Sequence, residues 1–375
     1  MRRRSPGDIR DAVIAYLETA EEASPSEIHQ AISAQLGEVS ASSVRSYLNL
    51  NEPGLFRRLS RGRYGLAVPV HGPHALKVFP ETNLGNGKLV HADAFEWLKQ
   101  CPVNSIHAVV TDPPYGLVEY TDPEKAKLRS GKGGVWRVPP SFDGHRRAPL
   151  PRFTVLNEGD KEALEDFFHE LGKLLLRATV PGANVVVAAN PLLAHTVAMA
   201  MSGSGLELRG QITRLVMTMR GGDRPKNAHE EFPHVSVMPR SMFEPWVVLR
   251  HPLEGRVQDN LRKWKTGGFL RLSEERPFGD VIRSSPTLAA ERQLAPHPSL
   301  KPQAFMRQIV RAVLPMQEGV VLDPFAGSGS TIAAANAVGY QSIGVEKDEE
   351  FYRLGARAIP KLEQMSVREV DPVLT

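Results

Sequence analysis

The chain has 375 residues, of which 41% are hydrophobic and 23% are charged. This length and composition exclude a fully disordered chain and favour two domains. The single cysteine, Cys101, excludes a disulfide framework and a zinc site built from thiolates. The formal net charge of +4 favours a polyanionic partner without establishing one.

The sequence does not show the pattern of a membrane span or of a signal peptide. The longest apolar stretch, 185–201, is interrupted by Asn190, Pro191 and His195. The arginines at positions 2–4 are followed by polar residues rather than by an apolar run. We therefore expect a cytoplasmic protein. The histidines show no metal-ligand spacing, so no metal site is predicted.

Residues 1–68 are predicted to form a separate helical module with a basic hairpin. Apolar spacing and a capping serine, Ser24, indicate two helices before position 37, and a third fits 40–50. The stretch 56–66 alternates like a short hairpin and contains arginines but no acid. This pattern is typical of a winged helix-turn-helix module, whose third helix enters the major groove. Its predicted DNA-binding residues are Arg45, Arg57, Arg58 and Arg61. A helical domain that docks only on protein is the alternative.

The pattern changes after a predicted linker at 69–84. Short apolar runs now alternate with helical stretches; the runs lie at 106–111, 184–189, 246–250, 320–322 and 342–345. Helices are predicted at 161–178, 303–313 and 331–338. This alternation predicts an α/β domain with a doubly wound, mostly parallel sheet at 85–362, followed by a tail at 363–375.

Two long segments interrupt this alternation, at 116–156 and 253–295. Both are rich in basic residues, and we expect both to be irregular. Long irregular insertions in a compact α/β domain are usually lids or binding loops. Solvated surface loops are the alternative for either segment taken alone.

A rigid polar turn follows the predicted strand at 106–111. It consists of Asp112, Pro113, Pro114 and Tyr115, at the end of a strand, where α/β sheets bind ligands. The prolines hold a carboxylate and a carbonyl in place, and the tyrosine offers a flat face for stacking. Two acceptors beside a stacking face suit the exocyclic amine of a nucleobase. A rigid turn without chemistry is the alternative for this motif alone.

A glycine-containing loop follows the predicted strand at 320–322. The sequence Asp-Pro-Phe-Ala-Gly-Ser-Gly at 323–329 runs into an alanine-rich helix, which lets the backbone approach a ligand closely. A P-loop is excluded because no Lys-Ser/Thr pair follows. The next strand ends at Glu346, and an acid there is the usual partner of ribose hydroxyls. Loop and acid together indicate a nucleoside-containing cofactor.

These two motifs together resemble the S-adenosylmethionine-dependent DNA amino-methyltransferases, which methylate N6 of adenine or N4 of cytosine. The catalytic motif precedes the cofactor motif, as in the permuted β group of that family. The stretches 297–302 and 89–95 resemble two further motifs of the group, so the resemblance covers roughly 85–360. Two departures are Gly116, where many relatives carry asparagine, and the long insertion after it.

The resemblance implies a role for each matching residue. Asp112 and the carbonyl of Pro113 would accept the hydrogens of the target amine, and Pro114 would complete the rigid catalytic turn. Tyr115 would stack on a base swung out of the duplex. S-adenosylmethionine would be held by Asp93 at the adenine amine, by Glu346 at the ribose and by Lys301 at the methionine carboxylate. The remaining cofactor-binding residues implied are Asp323, Phe325, Gly327, Gly329 and Thr331.

The resemblance implies a site-specific methyltransferase of double-stranded DNA with a Rossmann-like fold. Asp112 favours adenine N6, because relatives acting on cytosine N4 more often have serine there; cytosine N4 remains the alternative. Methylation of an RNA base and a non-catalytic winged-helix regulator are further alternatives. Sequence reading is expected from both insertions, and in the second it is expected from Arg262, Lys263 and Lys265. The resemblance also implies a prokaryotic, nucleoid-associated protein. A homodimer and a restriction endonuclease partner are left open.

Overall fold

The computed structural model describes residues 8–20, 22–37, 39–50, 56–60, 62–66, 77–114, 141–142, 145–146, 158–216, 222, 224–225, 227–297 and 299–367. The N-terminal part contains three helices, α1 (Asp8–Ala20), α2 (Pro25–Leu36) and α3 (Ala41–Leu50). They are followed by an antiparallel hairpin of β1 (Phe56–Ser60) and β2 (Arg63–Leu66). The predicted helices and hairpin are therefore present.

The second helix shows how the local sequence defines these elements. Ser24 caps α2 by accepting a hydrogen bond from the Glu27 amide, and the Glu27 side chain accepts one from the Ser24 amide. Gly37 ends the helix with a positive φ of 84°. The three helices enclose a small apolar core, to which Phe56 and Tyr64 of the hairpin contribute.

The remaining elements form the second part of the molecule. Its strands are β3 (Glu81–Leu84), β4 (Gly87–His91), β5 (Ile106–Thr111), β6 (Ser141–Phe142), β7 (His145–Arg146), β8 (Thr179–Ala188), β9 (Glu207–Leu215), β10 (Phe243–Arg250), β11 (Val281–Arg283), β12 (Val320–Asp323) and β13 (Gln341–Glu346). Its helices are α4 (Ala94–Gln100), α5 (Glu158–Ala178), α6 (Ala194–Gly203), α7 (Val257–Trp264), α8 (Ala289–Leu294), α9 (Gln303–Val313), α10 (Ser330–Ala337) and α11 (Glu349–Leu362).

Nine of the described strands form one sheet, in the order β11-β9-β10-β8-β5-β12-β13-β4-β3. The five strands from β8 to β4 in that order are parallel, and the antiparallel β10 and β3 flank them. Helices α4, α5 and α6 contribute to the apolar core on one face, and α9 and α10 contribute to the core on the other. The predicted doubly wound, mostly parallel sheet is confirmed.

The order of the strands brings together motifs that are far apart in the sequence. β5 and β12 are neighbours, with Val109 paired to Leu322. Because they run in the same direction, the residues after both strands lie at the same edge of the sheet. The carboxyl end of this sheet is therefore the place to look for a site.

Two sequence-based boundaries need correction. The predicted linker at 69–84 extends too far, because Glu81–Leu84 is strand β3 of the large sheet. Three of these four residues are polar and the strand lies at an edge, so it carries no apolar signal. The predicted irregular insertion at 253–295 contains α7, β11 and α8, and β11 pairs with β9. The insertion at 116–156 lies outside the described residues, apart from β6 and β7. No described helix is long and apolar enough to cross a membrane.

Candidate active site at the carboxyl end of the sheet

Asp323 connects the end of β12 to the end of β5. Its Oδ1 accepts hydrogen bonds from Thr111 Oγ1 at 2.7 Å and from the Phe325 amide at 3.1 Å, and its Oδ2 accepts one from Thr331 Oγ1 at 2.5 Å. Burial raises the pKa of this carboxyl group to about 6, although these hydrogen bonds oppose the shift. The side chains of Asp323 and Thr331, which are predicted to bind a cofactor, also join the loop after β12 to the end of β5.

The loop after β12 needs glycine at two positions. Gly327 and Gly329 have φ angles of 51° and 86°, which favour glycine over any other residue. A Cβ at Gly327 would lie 3.1 Å from the His297 ring, and one at Gly329 would lie 2.4 Å from Ile359. Helix α10 begins directly after this loop without a side-chain cap, so its N-terminus can receive the negative charge of a ligand.

Glu346 lies at the end of β13 and touches the same loop. One of its carboxylate oxygens accepts a hydrogen bond from the Gly327 amide at 2.7 Å, and the other accepts one from the Asp348 amide at 2.7 Å. Burial raises the pKa of Glu346. Each carboxylate oxygen can accept a further hydrogen bond, so this acid can still hold a diol.

Asp93 lies beside this acid, in the turn after β4. Its Oδ1 caps α4 by accepting hydrogen bonds from the Phe95 and Glu96 amides. Its Oδ2 lies 3.1 Å from the ammonium of Lys347, a side chain that is 77% exposed. Burial raises the pKa of Asp93, but Lys347 and the capping amides outweigh it and lower the value. An incoming amine can replace so exposed a partner at Oδ2.

The candidate catalytic acid, Asp112, belongs to a chain of charged side chains. Its Oδ2 lies 2.9 Å from Lys301 Nζ, and the same ammonium lies 2.6 Å from Glu244 Oε1. Glu244 Oε2 in turn accepts a hydrogen bond from Arg214 at 2.7 Å. Burial would lower the pKa of Lys301, but Asp112 and Glu244 raise it. Burial would raise the pKa of Glu244, but Lys301 and Arg214 lower it to about 2.

A small cavity of about 40 Å³ lies between this charged chain and the glycine loop. Phe325 and Lys301, both predicted site residues, line it together with Asp112. Sequence reasoning missed Glu244, Arg214 and the cavity-lining Trp246, because the sequence of a strand gives no sign of which distant residues its side chains meet. The acid just before the apolar run of β10 was the one available signal.

Two predicted residues lie outside the described residues, Tyr115 and Arg61. Of the two prolines in the motif, Pro113 is buried and Pro114 is exposed. In the N-terminal module, Arg45 is exposed on α3, and Arg57 and Arg58 are exposed on β1. The guanidinium of Arg58 lies 5.5 Å from the centre of the Tyr64 ring.

Arg262, Lys263 and Lys265 of the second insertion lie at the opposite end of the sheet from Asp112. Helix α7 is anchored through Asn260, which donates to the Pro181 carbonyl near the start of β8 at 2.9 Å. Asp112 follows the far end of β5, roughly 20 Å away at 3.3 Å per strand residue. Around α7, Lys263 lies 2.8 Å from Glu254 and Arg262 lies 3.2 Å from Asp259. Lys265 ends the helix in the left-handed conformation. Placement of Arg262, Lys263 and Lys265 therefore does not favour contact with a base at Asp112.

A different segment lies at the same end as Asp112. The connection from β9 to β10, residues 216–242, leaves the sheet where Leu215 pairs with Phe243, next to the carboxyl end of β8. Its described residues expose apolar side chains together with Arg224 and Arg240; the exposed apolar residues are Phe232, Val235, Val237, Met238 and Met242. We call residues 216–242 the hairpin segment.

The fold and the site define a methyltransferase that takes a nucleoside cofactor. Residues 106–357 match the DNA methylase family of N6 and N4 methyltransferases, and the chain belongs to that family. It is an S-adenosylmethionine-dependent DNA methyltransferase.

Three known DNA methyltransferases are similar to this chain, over different shares of its length. Type II methyltransferase M.HindIII of Haemophilus influenzae is 25% identical over 295 residues, covering 72% of this chain and 94% of that protein. DNA adenine methyltransferase YhdJ of Escherichia coli K12 is 38% identical over 77 residues, which cover 20% of this chain and 26% of that protein. The cytosine-N4-specific PvuII DNA methyltransferase is a solved structure with a TM-score of 0.48 and 16% identity, covering 77% of this chain and 90% of that one.

Proposed function

We propose that this protein transfers the methyl group of S-adenosylmethionine to N6 of adenine in a base swung out of double-stranded DNA. One observation carries the proposal: Asp112 and the cofactor loop lie together at the carboxyl end of β5 and β12. The acid at position 112 favours adenine, as does the local similarity to an adenine methyltransferase. Transfer to N4 of cytosine uses the same arrangement and is the alternative outcome of the experiment.

The proposed chemistry depends on orientation and charge. The cofactor supplies a methyl group on a sulfonium, which is already electrophilic, so the protein needs no covalent nucleophile. The target amine is a poor nucleophile because its lone pair is delocalised into the ring. Asp112 and the Pro113 carbonyl accept its hydrogens, which moves the nitrogen toward tetrahedral geometry and aims its lone pair at the methyl group. Tyr115 stacks on the extruded base.

Lys301 has two assigned tasks in this proposal. Its ammonium balances the charge of Asp112 at 2.9 Å, so the carboxylate keeps one orientation while the amine binds. We assign its third hydrogen to the methionine carboxylate, the role that the family resemblance implies for Lys301. Glu244 and Arg214 keep the ammonium in place from the other side.

The residues around the loop fit the rest of the cofactor. Glu346 holds the ribose hydroxyls with its remaining lone pairs, and Asp93 accepts the adenine amine in place of Lys347. Phe325 borders the cavity beside the methionine half. Gly327 and Gly329 let the loop adopt its left-handed turns against His297 and Ile359, and in this conformation its backbone faces the proposed cofactor.

Two surfaces are proposed to bind DNA. The N-terminal module contributes Arg45, Arg57, Arg58 and Arg61, which contact phosphates and supply affinity. The hairpin segment reads the sequence, because it lies at the same end of the sheet as Asp112 and presents Arg224 and Arg240 among exposed apolar side chains.

Mass spectrometry of nucleosides tests the proposal. Purified protein is incubated with S-adenosylmethionine and, in parallel reactions, with unmethylated genomic DNA or with RNA, and each nucleic acid is then digested to nucleosides. The expected product is N6-methyl-2′-deoxyadenosine. N4-methylcytosine would assign the alternative, and methylation of RNA alone would contradict DNA as the substrate.

A further inference from the structure

Trp246 carries a buried donor that no described residue satisfies. The residue is completely buried in β10, and its indole nitrogen has no hydrogen-bond partner in the part of the chain that the structure describes. Burying an N–H group without a partner is costly, so proteins seldom leave one in this state. The indole N–H of Trp246 therefore lacks a partner among the described residues, and a ligand bound beside it would supply one.

The position of Trp246 identifies where that partner binds. Trp246 pairs with Ala188 in β8, and Val187 pairs with Thr111 in β5. Trp246 and Asp112 are therefore level with each other, two strands or roughly 10 Å apart. Ala188 lies between them and has only a methyl side chain. Both Trp246 and Asp112 line the cavity beside the glycine loop.

The cavity is lined by groups that suit an anion. Besides Trp246, it has the ammonium of Lys301, the hydroxyl groups of three serines and the adjoining N-terminus of α10; the serines are Ser299, Ser328 and Ser330. Its two acids already have cationic or hydroxyl partners, Lys301 for Asp112 and two threonines for Asp323. Donors therefore outnumber free acceptors, and a carboxylate is the group that complements them.

We propose that the indole N–H of Trp246 donates a hydrogen bond to the carboxylate of the methionine half of S-adenosylmethionine. Lys301 and the N-terminus of α10 hold the same carboxylate from other sides. The inference rests on the cofactor of the family and is independent of the choice between adenine and cytosine. A buried water is the other occupant that a cavity of about 40 Å³ accepts, and the experiment separates the two.

The test compares two ligands that differ only in the carboxylate: S-adenosylhomocysteine and its decarboxylated analogue. The first measurement is the indole ¹⁵N–¹H spectrum of the wild-type protein, which has four tryptophans. We expect the Trp246 signal, assigned from the Trp246→Phe spectrum, to shift downfield with S-adenosylhomocysteine and to stay in place with the analogue. The Trp264 signal should stay in place with both, because its N–H already donates to Glu254 at 2.7 Å.

The second measurement is the affinity of each ligand by calorimetry. Trp246→Phe should weaken S-adenosylhomocysteine roughly 10-fold or more, as for a hydrogen bond to a charged group, and should change the analogue less than about twofold. Trp264→Phe is the matched control and should change neither. Equal losses for both ligands in Trp246→Phe, or an indole signal that ignores the carboxylate, would overturn the inference. Wild-type protein that binds neither ligand would overturn the cofactor assignment as well.

Discussion

The ammonium of Lys301 lies 2.9 Å from the carboxylate of Asp112 and 2.6 Å from that of Glu244. Three segments meet at this point: the turn after β5, the start of β10 and the approach to α9. The ammonium of Lys301 therefore has two effects. It orients Asp112, the candidate catalytic acid, and it neutralises Glu244, which is largely buried and holds the ammonium in place.

Removing the shared cation should destabilise the fold. Lys301→Met removes the cation that neutralises the carboxylates of Glu244 and Asp112. Breaking a buried ion pair in this way lowers the free energy of unfolding by about 3–5 kcal/mol. Urea denaturation should show that loss, and Glu244→Gln added to it should recover part of the free energy of unfolding. Lys347→Met is the matched control, since its side chain is 77% exposed and should contribute less than about 1 kcal/mol. Equal stability of the two lysine variants would contradict the account of Glu244.

Asp323 should make stability depend on pH in a characteristic direction. Its folded pKa is about 6, above the ordinary value of 3.8, so its contribution is fully present below pH 3.8 and is lost as the pH rises through 6. The loss is on the order of 3 kcal/mol, from about two pKa units. Asp323→Asn keeps the shape and cannot ionise, so the gap in unfolding free energy between the wild type and this variant should change between pH 4 and pH 7. A constant gap would show that Asp323 does not titrate there.

Glu346 should govern cofactor affinity. Glu346→Gln replaces one acceptor oxygen and removes the negative charge of the carboxylate, which accepts hydrogen bonds from the Gly327 amide and, in the proposal, from the ribose hydroxyls. S-adenosylhomocysteine should therefore bind roughly 10- to 100-fold more weakly. Calorimetry measures this directly. Glu350→Gln, an exposed acid on α11, is the control and should leave affinity unchanged. If both variants bind alike, Glu346 is not in the cofactor site.

Three groups of basic residues should have different effects on DNA. Arg57→Ala with Arg58→Ala should weaken DNA binding and reduce the slope of log affinity against log salt concentration by roughly 2. The DNA sequence that is methylated should stay the same. Arg224→Ala with Arg240→Ala should change the DNA sequence at which methylation occurs, or abolish methylation altogether. Replacing Arg262, Lys263 and Lys265 should leave that sequence intact, because α7 lies at the opposite end of the sheet.

Sequencing of the methylated sites decides among these three variants. A changed sequence in the Arg57 and Arg58 variant would make the N-terminal module the reader. A changed sequence in the α7 variant would restore the role that the sequence predicted for that helix.

Local patterns predicted much of this molecule. The strand at 106–111 has the bounds of β5, and the cap at Ser24 and the stop at Gly37 are confirmed because each depends only on neighbouring residues. The charged chain could not be predicted in the same way. Arg214 and Glu244 are 30 residues apart and Glu244 and Lys301 are 57 apart, so only the sheet order brings them together. The position of α7 depends on the hydrogen bonds of Asn260, which no spacing indicates.

The most direct measurement compares wild type with Asp112→Asn, which keeps the size of the side chain and removes its charge. Both proteins are given unmethylated DNA and S-adenosylmethionine, the methylated nucleosides are quantified, and the affinity for S-adenosylhomocysteine is measured in parallel. We expect N6-methyladenine from the wild type, almost none from Asp112→Asn, and affinities within a few-fold of each other. Full activity of Asp112→Asn, or a wild-type product methylated elsewhere than at adenine N6, would contradict the account.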